Sequence, residues 1–489
     1  MTDDGRGVDQ GAGRAGVIKH PTSPIDLTGS KRLHVVGVGG PGMSAIAIVL
    51  AEMGHIVSGS DIRDKPVLER LRVAGIDVRI GHQRAIVHGV DAVTASTAVP
   101  NRNVELEEAR ATGVLVLRRA GMLAGICARA RSIGVAGTHG KTTTSSMLML
   151  VLAEAGLKPS FVIGGDVTDM GTGAQWTGAD WFVVEADESD GTHLELPLYA
   201  TMLTNVEVDH LDHYGSFEGI VAAFDQYIAQ VPGPKVLCAD DAVCADLAQR
   251  YGGVSYGFTA SADYRAVDLR PESGSFRFAL EHKGQRLGDV HLPLRGTHNV
   301  QNATGVIAMA MSIGVPFAVA AAALGRFGGV ARRFDLRGTH GGVTFVDDYA
   351  HLPTEIAAVL AAARGSGDNW QRIVAVFQPN RYNRMAELWP EYRDAFVDAD
   401  LIVITDIFAS GTQAIPGVTG KLVVNAILDA HPRANVVWLP RRRDLVEYLA
   451  RTLRSGDVSL SMGCGDIASL PTEVLGVRTG LEAGDRDGQ

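Results

Sequence analysis

Three α/β domains, each built on a largely parallel sheet, are what this sequence predicts. Short apolar runs ending in acidic or polar residues alternate with helical patterns through most of the 489 residues, as strands wound in βαβ units do. Two glycine-rich turns, at residues 37–42 and 137–140, each leave such a run and open a helix. The length exceeds one ordinary domain and suits roughly two to four.

Residues 1–28 lack an apolar run and read as a flexible polar tail, not a signal peptide. A first domain at 29–126 opens with a strand near 33–38, a glycine turn and an apolar helix near 43–53. "HIVSGSD" and "DAVTASTAVP" follow as strands. Ligands of such sheets lie beyond the carboxyl ends of the strands. A second domain at 127–330 has strands in "SIGVAG", "WFVVEAD", "ATMLTNVEVDH" and "KVLCADD". From 253 to 296, "SYGF", "SFRFAL" and "GQRLGDVHLPL" are shorter and more alternating, which predicts antiparallel strands and so a mixed sheet. "GVIAMAMSIGVPFAVAAAALG" has the length to span a bilayer, but Gly314 and Pro316 split it into two expected buried helices. A third domain at 331–475 reads "GVTFVDDYA", "QRIVAVFQP", "DADLIVITDIF", "ANVVWLP" and "DVSLSMGCGD" as strands between helices, again doubly wound. Residues 476–489 read as a second polar tail.

The net charge of −10 argues against a nucleic-acid surface and agrees with small anionic ligands in local basic pockets. Cys127, Cys238, Cys244 and Cys464 form no C-x-x-C pair and read as free thiols of a reducing cytoplasm, with no membrane attachment.

Gly37, Gly39 and Gly42 form G-x-G-x-x-G between a strand and a helix, and Asp61 closes the next strand. That spacing suits a dinucleotide, its phosphates on the first helix amides and the acid on a ribose. Pro41 inside the turn and a stronger signal downstream speak against a nicotinamide site, which stays open at this point; anion binding is expected either way. Gly137-Thr138-His139-Gly140-Lys141-Thr142 has the context of a phosphate loop, although Val135 stands where the strict G-x-x-x-x-G-K-[ST] pattern has its first glycine. Glycines admit backbone amides to an oxyanion, Lys141 reaches β and γ oxygens, and the Thr142 hydroxyl suits Mg²⁺. The plain alternative is an exposed lysine at a helix start.

A magnesium nucleotide needs ligands at strand ends facing that loop. "VVEADESD" places Glu185 at one strand end, and "TNVEVDHLDHY" places Asn205, Asp209 and His210 at another. Strand-end acids are often solvated caps, but two such clusters behind a phosphate loop favour phosphoryl transfer. "RGTHNVQNATG" sets Asn299 and Asn302 on one helical face, suited to an adenine edge or to helix capping. "RRFD" (Arg332, Arg333) and "DDYAHLPTE" (Asp347, Asp348, Tyr349, His351) bring cations and acids to the third domain's entrance. "QPNRYNR" offers Arg381 and Arg384 to fork a carboxylate.

In this order, "GTHGKTTT", "EADESD", "TNVEVDHLDHY", "GTHNVQN", "RRFD" and "DDYAHLPTE" resemble the Mur ligases, ATP-dependent amide-forming enzymes of peptidoglycan precursor synthesis, over about residues 30–475. "HVVGVGGPGMSAIA" and the "DDYxHxPTE" and "FQPxRxxR" patterns are most similar to members that join L-alanine to UDP-N-acetylmuramate. The resemblance implies Rossmann-like outer domains around a P-loop ATPase-like central one. It implies a UDP-sugar site at Gly37, Gly39, Gly40, Gly42, Met43, Ser44, Asp61, Ser96 and Thr97. ATP would be held by Gly137, Thr138, His139, Gly140, Lys141, Thr142, Thr143, Asn299, Asn302, Arg333 and Asp348. Thr142, Glu185 and His210 would hold Mg²⁺, expected as two ions, and Tyr349, His351, Arg381 and Arg384 the amino acid. Lys141, Glu185, His210 and His351 are the expected catalytic residues.

Two departures stand out. Sister ligases carry a carbamylated lysine where this chain has Ala223, Phe224 and Asp225, so Asp225 is a candidate substitute; and Leu352 stands where a second histidine is expected. Rival readings are another Mur-type amide ligase, such as a murein tripeptide ligase, a folate polyglutamate synthetase, or a non-catalytic nucleotide-binding regulator. A monomer and a homodimer are both compatible with the sequence.

Overall fold

A computed structural model describes residues 24–486; the outer parts of both expected tails, 1–23 and 487–489, lie outside the described residues. The inner parts belong to the fold. Leu27 is buried, and with Ile25 it packs where a Cβ on Gly125 would stand. Residues from 476 continue the helix Leu470–Arg486, and Arg478 donates to the Ala450 and Leu453 carbonyls at 3.2 and 2.8 Å, closing the end of Arg442–Thr452. Few apolar residues mark either segment, so the sequence pattern alone leaves them polar.

The three expected α/β domains are present. The first sheet is wholly parallel, in the order Asp77–Ile80, Ile56–Asp61, Arg32–Val36, Ala92–Ala95, Leu115–Arg118. The glycine turn leaves Arg32–Val36, where the strand order reverses and a crevice opens. The two edge strands escaped the sequence pattern because most of their side chains face solvent.

The central sheet has ten strands. Arg131–Ala136 lies between Trp181–Glu185 and Ala200–Leu203, parallel to both. The two acidic segments therefore emerge beside the phosphate loop. One flank runs into the antiparallel strands Tyr264–Glu272, Ser275–His282 and Gln285–Leu292, as expected. Behind them pack the helices Thr297–Ser312 and Phe317–Leu324, divided at Gly314 (φ 94°) with Pro316 as the second N-cap. Among the described residues no helix is long and apolar enough to cross a membrane.

The C-terminal sheet has six strands, parallel except for Asp335–His340, whose exposed side chains gave no apolar run to detect. One continuous apolar core joins the first two domains, with Pro41–Glu52 packed against Ser160–Val167 and Thr172–Gln175. The third domain has separate clusters of its own.

Candidate active site at the junction of three domains

Gly137 and Gly140 hold φ of 126° and 80°, a region where an L side chain is strained. A Cβ on Gly137 would collide with Thr204, and one on Gly140 would stand 3.1 Å from the Asn302 amide. Asn205 was expected near a metal but clasps the loop: its Oδ1 accepts from the His139 N–H at 2.8 Å and its Nδ2 donates to the His139 carbonyl at 3.2 Å. Thr138 accepts the Glu207 N–H at 2.9 Å.

Lys141 begins the helix Lys141–Glu154. Its Nζ donates to the Gly137 carbonyl at 2.6 Å and to the two Glu188 oxygens at 2.9 and 2.8 Å. Burial pushes the Glu188 carboxyl up to about 7 even against that ammonium. Glu188 was not singled out in the sequence, because "EADESD" carries four acids and only the strand-end one has a positional rationale. Its neighbour Asp187 accepts from Arg119 at 2.9 Å, and burial is outweighed there by Arg119 and Lys141, which depress its pKa. Arg119 also reaches Asp190 and Thr192, and its Nη1 lies 3.3 Å from the Cβ position of Gly42. It lies beside the first glycine turn while bound to the acidic segment, a placement that no motif announces.

Two cavities meet at this loop, sharing His139, Gly140, Arg333 and Glu355. One, of about 580 Å³, lies between the central and C-terminal domains and is lined by Thr143, His298, Asn299, Asn302, Phe334 and Asp348, among others. The Asn299 Nδ2 donates to the Arg295 carbonyl at 2.8 Å; Asp348 accepts the Phe334 and Ala350 N–H groups at 2.7 Å each, and burial pushes its carboxyl up to about 6. The other, of about 660 Å³, receives all three domains: Gly39 and Ser44 from the first, Lys141, Thr142, Glu185 and His210 from the second, Tyr349, His351, Arg381 and Arg384 from the third.

Glu185 accepts the Gly164 N–H at 2.8 Å, and burial raises its pKa. His210 holds φ 53°; burial pulls its imidazole down to about 4, leaving a neutral nitrogen able to ligate. Among the described residues no three His, Cys, Asp or Glu gather into a cage. Magnesium is usually held by one or two carboxylates and completed by phosphate oxygens and water. A hydroxyl, a carboxylate and a neutral imidazole lining one cavity with the phosphate loop fit that open kind of site.

On the third domain's side, the Tyr349 ring lies between the Arg332 and Arg333 guanidinium groups, 4.9 Å from each. The Arg333 Nη2 is 3.4 Å from the Thr142 hydroxyl. Arg332 instead turns to Asp347 at 3.0 Å and the Gly463 carbonyl at 2.7 Å. Arg381 has φ 60°, and among the described residues its guanidinium has no hydrogen-bond or ion-pair partner. Arg384, expected to fork a substrate carboxylate, is already taken. It is buried, donates to both Asp209 oxygens at 2.9 and 3.1 Å and to the Asn380 side chain at 2.8 Å, while Asp209 Oδ2 lies 3.2 Å from His210 Nε2. Leu352 is buried against the cavity wall.

Five of the eight non-glycine residues with positive φ among those described, His210, Arg332, Phe334, Arg381 and Ser410, line these cavities. Backbone strain gathers where side chains must be aimed. Asp225 is elsewhere. It is bound to Arg250 at 2.5 Å and Tyr251 at 3.0 Å on the outer side of Phe217–Gln230 and lines neither cavity, so it cannot stand in for a carboxylated lysine.

At the first glycine turn, Gly37 has φ 75° and Asp61 accepts the Gly39 N–H at 3.0 Å. The acid thus braces the turn, with Lys65 Nζ 3.5 Å away, in place of the ribose contact its position suggests. Gly40 precedes the helix, Ser44 donates to the Pro41 carbonyl at 2.9 Å, and Met43 points into the core, leaving only its backbone at the turn. Ser96 and the exposed Thr97 sit in the turn after Ala92–Ala95.

Family models described as the Mur ligase family catalytic domain, the Mur ligase middle domain and the Mur ligase glutamate ligase domain match residues 32–131, 135–310 and 332–465. A UDP-N-acetylmuramate--L-alanine ligase of Pelobacter propionicus is 43% identical over 444 residues, 89% of this chain and 96% of that protein. One of Acidothermus cellulolyticus is 44% identical over 464 residues, 93% and 96% of the two chains. Among solved structures, the UDP-N-acetylmuramate-alanine ligase MurC of Thermotoga maritima superposes with TM-score 0.78 at 28% identity, covering 92% of this chain and 99% of its own. A murein peptide ligase of Psychrobacter arcticus reaches 0.65 at 25% identity, with 91% and 98% covered. With all three domains matched in sequence and the fold matched end to end, this chain belongs to the Mur ligase family.

Proposed function

We propose that this protein joins L-alanine to the lactyl carboxylate of UDP-N-acetylmuramate in peptidoglycan precursor synthesis, driven by ATP and releasing ADP and phosphate. The observation that carries the reading is the cavity into which the first glycine turn, the phosphate loop and the Arg381–His351 wall all open. Relatives named for this reaction at 41–44% identity favour alanine over the tripeptide of a murein peptide ligase.

A carboxylate does not react with an amine, because oxide is too poor a leaving group; phosphorylation supplies a better one. The UDP-sugar lies along Gly37, Gly39, Gly40, Gly42 and Ser44, with Ser96 and Thr97 across the crevice. Adenosine occupies the smaller cavity beside Asn299, Asn302 and Asp348. Lys141 leaves Glu188 for the β and γ oxygens, and the lactyl oxygen attacks the γ-phosphorus in line as the bond to ADP breaks. Arg333 and the loop amides offset the charge that develops. Thr142, Glu185 and His210 would hold magnesium, expected as two ions, which would neutralise phosphate charge.

The alanine amine then attacks the acyl carbon, and the tetrahedral adduct expels phosphate. Arg381, whose guanidinium is unpartnered among the described residues, takes the alanine carboxylate, while Arg384 holds Asp209 and through it His210. His351 has Nδ1 directed at Glu355 and at the Tyr349 carbonyl, leaving Nε2 to accept the amine proton. Leu352 narrows the pocket with apolar bulk, suiting a methyl side chain. The domain limits that go with this reading are 29–126, 127–330 and 331–475, extended at the outer ends by the packed Leu27 and by the helix Leu470–Arg486, and a reaction on nucleotide substrates suits the cytoplasm. Incubation with ATP, Mg²⁺, UDP-N-acetylmuramate and either single amino acids or the murein tripeptide, with products identified by mass, tests the reading: an alanyl product is expected, and a product only with tripeptide would overturn it.

A further inference from the structure

We propose that Glu355 is a positioning residue through which the ATP and amino-acid sites sense each other. The inference rests on the ligase reading above. Glu355 sits in the first turn of Pro353–Arg364 and lines both cavities. One oxygen accepts the His351 and Leu352 N–H groups at 2.8 and 3.1 Å and lies 3.1 Å from His351 Nδ1. The other lies 3.2 Å from Nδ1 of His139, in the phosphate loop of a different domain. The far nitrogen of His139 meets Glu207 and Thr354, each at 3.1 Å, and Thr354 donates to Glu207 at 2.8 Å.

One carboxylate thus fixes the imidazole at the amino-acid end and the loop residue at the phosphate end. Burial works against a charged His139, but Glu355 and Glu207 outweigh it and hold the imidazole up at about 9, so the bridge is ionic at neutral pH. The His139 backbone is pinned by Asn205, so a ligand that reseats the loop must move the carboxylate, and His351 with it. Glu207 lacks this double reach, touching the loop and Thr354 but not His351.

The test uses the full chain with saturating UDP-sugar, titrating a nonhydrolysable ATP analogue with and without L-alanine. In the unaltered protein each ligand tightens the other by about tenfold, a usual coupling strength. Glu355→Gln reduces that factor to below about twofold while UDP-sugar affinity holds; Glu207→Gln weakens the analogue and keeps the coupling. Glu355→Asp, too short to touch both histidines, is expected to lose it as well and serves if Glu355→Gln melts early. Coupling absent from the unaltered protein, retained in both Glu355 variants, or lost in Glu207→Gln overturns the proposal. A missing alanyl product in the mass assay would instead overturn the ligase reading.

Discussion

Lys141→Met keeps most of the side-chain volume and removes the ammonium held 2.8 and 2.9 Å from Glu188. Deleting one partner of a buried ion pair ordinarily costs about 3–5 kcal/mol, because the other charge is stranded. Glu188 avoids most of that: its carboxyl already titrates at about 7 and takes up a proton once the ammonium is gone. What remains is the loss of hydrogen bonds from a charged donor, about 1.5–3 kcal/mol. At about 2–4 °C per kcal/mol for a domain of this size, the melting temperature falls by roughly 3 to 12 °C. Catalysis suffers far more. Removing one preorganised donor to a developing charge costs about 10²–10³ in kcat, and a full positive charge at the transferring phosphoryl group should reach at least about 10³. Hydroxylamine trapping of the acyl phosphate as a hydroxamate, without alanine, reads the first half-reaction alone. A variant that melts within the stated window yet yields hydroxamate within tenfold of the unaltered rate would refute the phosphate-loop assignment.

Gly39→Val puts a Cβ 2.7 Å from the Asp61 carboxylate and 3.2 Å from the Lys65 stem, so the turn must shift. The KM for UDP-sugar should rise by at least about tenfold with that for ATP nearly unchanged; equal rises would count against separate sites. The His139 bridge has a defined pH window: its imidazole is raised from 6.5 to about 9 on folding, so its contribution is complete below about pH 6.5 and lost as pH rises through 9. Glu355 and Glu207 are depressed below 4.5, so their share is lost on acidification instead. Melting curves from pH 5 to 10 should show a decline above 6.5 that is smaller in Glu207→Gln; identical slopes would exclude the bridge as its source. Asp225→Ala removes the exposed pair with Arg250 and the Tyr251 hydroxyl's acceptor, both outside the cavities, and should leave kcat/KM within twofold; a larger loss would return Asp225 to the site.

What the sequence made legible follows from period and punctuation. Buried strands such as Trp181–Glu185 and Arg372–Phe377 are largely apolar runs, and Gly37, Gly137 and Gly140 carry the positive φ their turns demand. Asp77–Ile80 and Asp335–His340 were illegible because edge strands are paired on one side and wet on the other. Strand-end position for Glu185 and His210, the phosphate-loop context for Lys141 and the family resemblance for His351 picked out four residues that line one cavity. They could not say which charges were already spent on each other. Arg381 and Arg384 are equivalent in "QPNRYNR", yet among the described residues the first has no side-chain partner and the second is committed to Asp209, 175 positions earlier in the chain. Partner choice of that kind is set by tertiary packing, and no local pattern encodes it.

The distribution of core and charge explains why the reaction sits where it does. An acyl phosphate must be shielded from water, while substrates as large as a UDP-sugar and ATP must enter. Apolar continuity between the first two domains fixes the first glycine turn relative to the phosphate loop, since parting them would expose shared core. The third domain keeps its own core and meets the loop through Asp209–Arg384, His139–Glu355 and Thr142–Arg333. Polar contacts of this kind exchange for water at small net cost, whereas a shared apolar core would not. The lobe that carries Arg381 and His351 is therefore held to the other two by contacts that need these charges in register, not by a shared core.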